Sequence, residues 1–217
     1  MDELVLNEDA ALRPAPLPAV LEGEDFLQTL FPAAWRPPKF CLVLGTESAR
    51  SALHTDPFGW TGWNLLLRGA KRWRFVRPGV DADRALYVAP PERVNLVAHG
   101  WSPVDLFADA GASPDLAAFP RAGGAAVAYE VDQHAGEALV FPAGWWHQTL
   151  HLAPTVAVAS QYVNAGCARR VLDCLALRAG LAEAALGEDW RAMPWAEQVA
   201  QLCAALEADG WLPRRVQ

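Results

Sequence analysis

Two histidines and an aspartate have the residue types of a metal site. His54 and Asp56 stand one residue apart, and on an extended chain their side chains point the same way. His147 follows a Pro/Gly turn and two tryptophans in segment 142–147. Taken singly, the first pair also fits a solvated surface, and His147 also fits a hydrogen-bonded core residue. Together, two imidazoles and one carboxylate form the set that holds non-haem Fe(II) and leaves coordination positions open.

Lys71 suggests a second kind of chemistry. The sequence predicts a β-hairpin with a Gly69-Ala70 turn, in which Leu66 lies opposite Trp73 and Asn64 shares a face with Lys71. A lysine that faces the interior is costly unless an anion meets it, and a dicarboxylate co-substrate would do so. The alternative is a lysine at the rim whose ammonium reaches water.

The same two segments resemble a known family. The segment from His54 to Trp73 is similar to the core of JmjC-domain oxygenases. Within that family it is closest to the branch of arginine demethylases and lysyl hydroxylases, the phosphatidylserine-receptor group. The Gly-Trp-Trp-His segment at 144–147 resembles the family's distal-histidine motif. The resemblance covers about residues 38–165.

The resemblance implies a fold, a cofactor set and a reaction. The fold is mainly β with helical additions: a cupin-like double-stranded β-helix (a jelly roll) followed by a C-terminal helical pair. The iron ligands would be His54, Asp56 and His147. Lys71 would bind the distal carboxylate of 2-oxoglutarate, and Asn64 would line the same pocket. Such enzymes use Fe(II) and O2 to convert 2-oxoglutarate to succinate and CO2 while they hydroxylate a substrate C–H bond.

Two features depart from the family pattern around 2-oxoglutarate. Relatives often carry a threonine or serine hydroxyl on the strand after the distal histidine, where this chain has Ala159 beside Ser160. Ser160 and Thr149 are therefore the candidates for that hydroxyl, since Thr149 shares the face of His147 on a regular strand. Relatives also usually carry an upstream strand with a tyrosine. We expect this chain to start too late for such a strand; its tyrosines all lie downstream.

Other polar residues near these motifs have open roles. His151 either lies close to the metal or substrate, or is partly exposed. His99 and His134 lie in loop-like stretches without ligand spacing. Arg68, beside the predicted turn, either meets an acidic substrate or lies at the rim. Four tryptophans are candidates either for excluding water from the site or for plain core packing: Trp60, Trp63, Trp73 and Trp145.

Strands and helices must position these residues. Apolar runs predict further strands at 40–44, 138–141, 146–152 and 155–162. Apolar periodicity predicts helices over 23–35, around 103–110, and twice after Ala165. We expect long connections over 78–125.

The chain divides into three parts on this interpretation. Residues 1–37 form an arm and a short helix, 38–165 the catalytic core, and 166–217 the C-terminal helices. These helices either cap the sheet or join two copies in a homodimer through an apolar patch of Trp195, Leu202 and Leu206.

The composition limits the possible binding partners and the cellular location. The chain of 217 residues has a net charge of −7, which argues against binding to a nucleic-acid backbone and leaves basic peptides or neutral small molecules as substrates. No apolar run approaches the roughly 20 residues that span a bilayer, and the acidic start is unlike a secretory signal. Four cysteines without paired spacing indicate reduced thiols, so we expect a cytoplasmic location.

The sequence therefore predicts an Fe(II)- and 2-oxoglutarate-dependent dioxygenase that hydroxylates a protein or peptide side chain. N-methyl demethylation, or hydroxylation of a small molecule or peptide natural product, follows from the same chemistry and stays open. A third alternative is a cupin-like module that binds metal without turnover. Ala159 and the missing tyrosine motivate that alternative.

Overall fold

The computed structural model describes residues 3–5, 25–79, 101–108, 129–181 and 183–211. The strands in these ranges are β1 (Glu3–Val5), β2 (Cys41–Gly45), β3 (Leu53–His54), β4 (Thr61–Arg68), β5 (Ala70–Val76), β6 (Trp101–Ser102), β7 (Tyr129–His134), β8 (Ala138–Phe141), β9 (Trp146–His151) and β10 (Thr155–Tyr162). The helices are α1 (Phe26–Thr29), α2 (Ala165–Ala179), α3 (Glu183–Leu186) and α4 (Trp195–Ala208). Short 3-10 turns span Ala33–Trp35, Pro57–Gly59 and Trp190–Ala192.

The strands form two five-stranded antiparallel sheets. The first sheet has the order β1-β2-β10-β4-β8, and the second has the order β6-β3-β9-β5-β7. Neighbouring strands are mostly distant in sequence, as in a jelly roll. Side chains alternate across each strand, so on β5 Lys71, Trp73 and Phe75 are buried while Arg72 and Arg74 are less so. The predicted mainly β fold with a C-terminal helical pair is confirmed.

The predicted hairpin around Gly69 is wrong. β4 pairs with β8 and β10, while β5 pairs with β7 and β9, so the two strands lie in different sheets. Trp73 lies opposite Thr149 rather than Leu66. Gly69, with a φ of +88°, carries the chain from one sheet to the other, and a Cβ there would lie 2.3 Å from the carbonyl oxygen of Pro154. A crossover and a hairpin both place a turn glycine between two strands, which is why the sequence pattern did not separate them.

The other predicted strands agree with β2, β8, β9 and β10 to within one residue at each end. The arm contains the unpredicted strand β1, which pairs with β2. The predicted helix over 23–35 is two short elements instead, α1 and the turn Ala33–Trp35, because Pro32 between them cannot continue a helix. The helix predicted around 103–110 is wrong over 103–108, which form bends and a turn, and its last two residues lie outside the described residues. Most of 78–125 lies outside them too.

The two long C-terminal helices bury their apolar faces inside the chain. Leu202 and Leu206 of α4 are 0% and 1% exposed, within a core cluster that also contains residues of α1 and α2. Trp195 packs against Phe26 with ring centroids 6.1 Å apart. The exposed patch predicted from these residues is therefore wrong, because they serve the chain's own core. The homodimer and the three-part division stay predictions.

Among the described residues, no helix is long and apolar enough to cross a membrane. The cytoplasmic location stays a prediction from the cysteine content.

Candidate metal centre

The pairing of β3 with β9 brings the two predicted histidine ligands together. His54 lies directly opposite His147, and their ring centroids are 4.3 Å apart. Asp56 follows β3, and its Oδ1 lies 3.7 Å from Nε2 of His147. One ligand atom from each residue lies within 4.8 Å of the other two. Donors about 2 Å from one metal ion lie roughly 3–4 Å apart, so this spacing suits a single ion.

Backbone carbonyls orient both imidazoles. Nδ1 of His54 lies 2.8 Å from the carbonyl oxygen of Ala52, and Nδ1 of His147 lies 3.0 Å from that of Trp145. A carbonyl oxygen only accepts, so each Nδ1 carries the donated hydrogen. In the neutral ring the electron pair then resides on Nε2, which makes Nε2 the metal-binding nitrogen of both histidines.

Gly62 leaves the space that the Asp56 carboxylate occupies. A Cβ on Gly62 would lie 2.1 Å from Oδ2 of Asp56 and 2.2 Å from the Phe141 ring. Phe141 also packs against His147, with ring centroids 4.5 Å apart. The aspartate is thus held between an aromatic wall and a backbone that carries no side chain at this point.

The part of the cavity around Lys71 presents polar groups with unused hydrogen-bonding capacity. Lys71 is 1% exposed, and within the described residues its ammonium has no hydrogen bond or ion pair; its neighbour is the Trp73 ring, 5.9 Å away. The side-chain oxygen of Asn64 is buried and has no hydrogen-bond partner among the same residues. Thr149 is also buried and lines the same cavity. A buried cation beside unpaired polar groups is the environment that a carboxylate would satisfy.

Burial changes the protonation of two neighbouring residues. It lowers the pKa of Lys71 to about 8. Burial, with a smaller contribution from the Lys71 charge, lowers the pKa of His151 to about 4, so His151 is neutral at pH 7. His151 lies opposite Lys71 on β9 and is 1% exposed, so its partly exposed alternative is wrong. Its Nδ1 lies 2.6 Å from the Thr155 hydroxyl, and its ring packs against Gly45, where a Cβ would lie 2.0 Å from Cε1.

A cavity of about 580 Å³ brings the predicted site residues together. Its lining includes every residue that the sequence assigned to metal or co-substrate: His54, Asp56, His147, Lys71, Asn64, Thr149 and Ser160. The hydroxyl of Ser160 donates to the backbone carbonyl of Lys39, so Thr149 is the better placed of the two hydroxyl candidates.

The remaining candidates lie in different surroundings. Among the four tryptophans, Trp60, Trp63 and Trp73 line the cavity. Trp145 packs against Tyr129 instead, with centroids 5.6 Å apart. The two polar candidates Arg68 and His134 are exposed, and His99 lies outside the described residues.

Two contributors to the cavity were missed from the sequence. An upstream strand was not expected to reach the site, yet β2 lines it through Cys41 and Val43 and carries no tyrosine. Gln133 on β7 accepts from the Trp73 indole N–H and donates to the Asn64 carbonyl oxygen, both at 2.9 Å, and so links the two sheets behind the cavity. Gln133 carried no sequence signal, because an isolated glutamine in a polar strand is ordinary.

A family model described as a cupin-like domain matches residues 17–165. The chain belongs to the cupin-like domain family. Its double-sheet fold agrees with that membership, and so do the three inward-facing candidate metal ligands His54, Asp56 and His147, here called the metal set.

Similar proteins with curated names carry JmjC designations or JmjC-type activities. The bifunctional arginine demethylase and lysyl-hydroxylase psr-1 of Caenorhabditis elegans is 31% identical over 136 residues, which are 59% of this chain and 30% of that protein. The lysine-specific demethylase JMJ21 of Arabidopsis thaliana is 34% identical over 132 residues, 59% of this chain and 13% of that protein. The 2-oxoglutarate and iron-dependent oxygenase JMJD4 of Gallus gallus is 28% identical over 133 residues, 61% of this chain and 28% of that protein.

These matches confirm the resemblance to JmjC-domain proteins. The chain spans less than a third of the length of each of these relatives. Among solved structures, hydroquinone 1,2-dioxygenase PnpCD matches at 13% identity over 58% of each chain with a TM-score of 0.34, a likeness too small to bear on function.

Proposed function

We propose that this chain is an Fe(II)- and 2-oxoglutarate-dependent oxygenase that hydroxylates a protein or peptide side chain. The observation that carries the proposal is a single cavity that presents a metal-binding set together with a buried lysine that lacks an anionic partner among the described residues. Two histidines and a carboxylate suit Fe(II) with open positions, and the lysine suits a dicarboxylate. The named activities of JMJD4 and psr-1 support the same reaction class.

Different residues of this chain bind the metal and the co-substrate. When bound, Fe(II) and 2-oxoglutarate supply O2-dependent oxidation of a C–H bond, with succinate and CO2 as co-products. His54, Asp56 and His147 hold the metal, and their backbone contacts keep Nε2 of each histidine directed at it. Lys71 binds the distal carboxylate, and Asn64 and Thr149 add hydrogen bonds at that end.

Aromatic side chains keep water from the metal set. The rings of Trp73, Phe75 and Phe141 surround His147, with centroids 6.0, 6.1 and 4.5 Å from its ring. All three are 8% exposed or less. A dry wall on this side strengthens the electrostatic contacts of the site and limits hydrolysis of reactive species.

The charges of the cavity favour an uncharged acceptor group. Among the described residues that line it, Asp56 is the sole acidic side chain, and the metal would neutralise it. Among these described lining residues a cationic lysine or methylated arginine would meet no second carboxylate, and burying such a cation without a partner is costly. This observation favours hydroxylation of an uncharged side chain over N-methyl demethylation of a cationic one.

An anaerobic titration with Fe(II) and then 2-oxoglutarate tests the proposal. We expect a visible iron-to-2-oxoglutarate charge-transfer band that needs both additions and weakens in Lys71→Ala. Metal binding without the band would contradict the oxygenase and leave the metal-binding cupin-like module as the function. Succinate formed in proportion to 2-oxoglutarate consumed in air would exclude that module.

A further inference from the structure

The turn that follows Asp56 has a backbone conformation that needs external support. In the 3-10 turn Pro57–Gly59, Phe58 has a φ of 58° and Gly59 a φ of +69°. A phenylalanine in the left-handed region is uncommon, because its Cβ crowds the backbone. Such a residue persists where its surroundings hold it.

Helix α2 provides that support. Phe58 is 8% exposed and lies in the same core cluster as Leu172 and Leu175 of α2. The guanidinium of Arg178 lies 5.4 Å from the centroid of the Phe58 ring. The stem of Arg170 crosses Gly59 so closely that a Cβ on Gly59 would lie 2.6 Å from Cδ of the arginine.

The same arginine reaches the turn that precedes His147. Nη1 of Arg170 donates to the carbonyl oxygen of Ala143 at 3.3 Å. A Cβ on Gly144, whose φ is +80°, would lie 3.3 Å from the same Nη1. One side chain of α2 therefore touches the turn that leaves Asp56 and the turn that enters His147.

We propose that Arg170 is a positioning residue for the metal centre. By spanning the turns next to Asp56 and His147, it sets the separation of two of the three metal ligands, so helix α2 is part of the site's framework. This inference rests on the proposed metal-binding function. Arg170 is itself exposed, so the contact adds little to global stability, and its effect falls mainly on ligand geometry.

Co(II) is a suitable probe, because its visible absorption responds to coordination number and it needs no co-substrate. We would titrate the wild-type protein, Arg170→Ala, Arg170→Lys and Arg169→Ala with Co(II), and record the melting temperature of each. Arg169 is the matched control: it lies on the same helix, but its guanidinium packs over Trp190 and Trp195, 5.2 and 5.1 Å from their centroids. Those contacts join the C-terminal helices and do not touch either ligand-bearing turn.

We expect Arg170→Ala to weaken Co(II) binding by about tenfold and to change the visible spectrum. Arg170→Lys keeps the stem over Gly59, so it should lose less Co(II) affinity than Arg170→Ala. Arg169→Ala should lower the melting temperature while keeping the wild-type affinity and spectrum. Equal affinity and spectrum in Arg170→Ala and wild type would overturn the positioning role and leave the metal site intact. An equal loss of Co(II) affinity in Arg169→Ala would also overturn the positioning role of Arg170. A wild-type protein that binds no Co(II) would instead overturn the metal centre itself.

Discussion

His54 and His147 are direct cross-strand partners on β3 and β9, with imidazole centroids 4.3 Å apart. The metal set is therefore a property of strand register, because residues paired in this way present their side chains on the same face of a sheet. Asp56 joins them from the segment after β3, where its carboxylate lies 3.7 Å from His147. A one-residue change in the β3–β9 register would turn one histidine away from the other.

Each residue of the metal set should be essential. We expect His54→Ala, Asp56→Ala and His147→Ala to remove stoichiometric Fe(II) binding and 2-oxoglutarate-dependent succinate formation, since two remaining ligands hold the ion poorly. Iron content after anaerobic loading and gel filtration measures the first effect. His134→Ala, at an exposed position on β7, is the control and should behave as wild type. Near-normal activity in any of the three variants would refute that ligand assignment.

Lys71→Met should separate co-substrate binding from metal binding. The variant removes the anchor for the distal carboxylate, so we expect the Kd for 2-oxoglutarate to rise at least tenfold while the Fe(II) affinity stays the same. Arg72→Met is the control, because Arg72 pairs with Asp132 at 2.6 Å in a partly exposed ion pair on the other face of β5. If Lys71→Met binds 2-oxoglutarate normally, the anchor lies elsewhere.

The depressed pKa of Lys71, about 8, predicts how 2-oxoglutarate affinity varies with pH. The charged ammonium is present below pH 8, so the Kd should be constant there and rise about tenfold per pH unit above it. Anaerobic titrations between pH 6.5 and 9.5 measure this dependence. A Kd that stays flat up to pH 9.5 in the wild type would show that the charge of Lys71 plays no part in binding.

The same residue makes stability depend on pH in the ligand-free protein. The pKa of Lys71 is lowered from 10.5 to about 8, so between these values the unfolded chain binds more protons than the native protein. The free energy of unfolding should therefore rise with pH across this window, by on the order of 3 kcal/mol from this residue. Denaturant melts at pH 7 and pH 10 measure it. Lys71→Met should lack the rise and be the more stable protein at pH 7; the same rise in both proteins would refute the assignment to Lys71.

Gly62→Ala should disable the metal centre sterically. The added methyl would lie 2.1 Å from the Asp56 carboxylate and 2.2 Å from the Phe141 ring, so one of them must move. We expect Fe(II) affinity to fall at least tenfold with a loss of stability of about 1–3 kcal/mol. Gly79→Ala is the matched control, because its Cβ would meet nothing within 4 Å. Fe(II) binding equal to that of Gly79→Ala would show that the carboxylate does not need this space.

Ala159→Thr should strengthen co-substrate binding. Ala159 lies opposite both Cys41 and Asn64 and lines the cavity, so a hydroxyl there would reach the polar end of the site. We expect the Kd for 2-oxoglutarate to fall by about tenfold, as for a hydrogen bond to a charged group. Ala159→Val has nearly the same shape without the hydroxyl and is the control. An equal change in both variants would assign the effect to packing.

The sequence singled out the three candidate metal ligands that the structure brings together, and it predicted most of the strands, because both have local signatures. The apolar runs that became β8, β9 and β10 are short and end at turn residues, and the His-x-Asp and Trp-Trp-His patterns each occupy a few adjacent positions. The jelly roll was predicted from the resemblance. The role of Lys71 as an anchor for a carboxylate was predicted from the resemblance and from the cost of burying a lysine. The pairing of β3 with β9 and the sheet order depend on contacts between distant segments, which local patterns do not record.

The errors have particular physical causes. Gly69 fits a hairpin turn and a crossover equally well, and only the competition for partners among β7, β8, β9 and β10 decides between them. Leu202 and Leu206 have the spacing of an exposed patch as well as that of a core face. His151 gave no sign of burial, because the space for its ring is made by Gly45 on another strand.

β4 and β5 lie in different sheets and are joined through Gly69, so the length of this link affects which side chains of β5 face the cavity. One added residue between β4 and β5, if it shifted the register of β5 by one residue against β7 and β9, would move every β5 side chain to the opposite face. Arg72 and Arg74 would then point between the sheets, while Lys71, Trp73 and Phe75 would face solvent. The length of the link at Gly69 therefore affects whether β5 gives the cavity one cation with Trp73 and Phe75, or two guanidinium groups in their place.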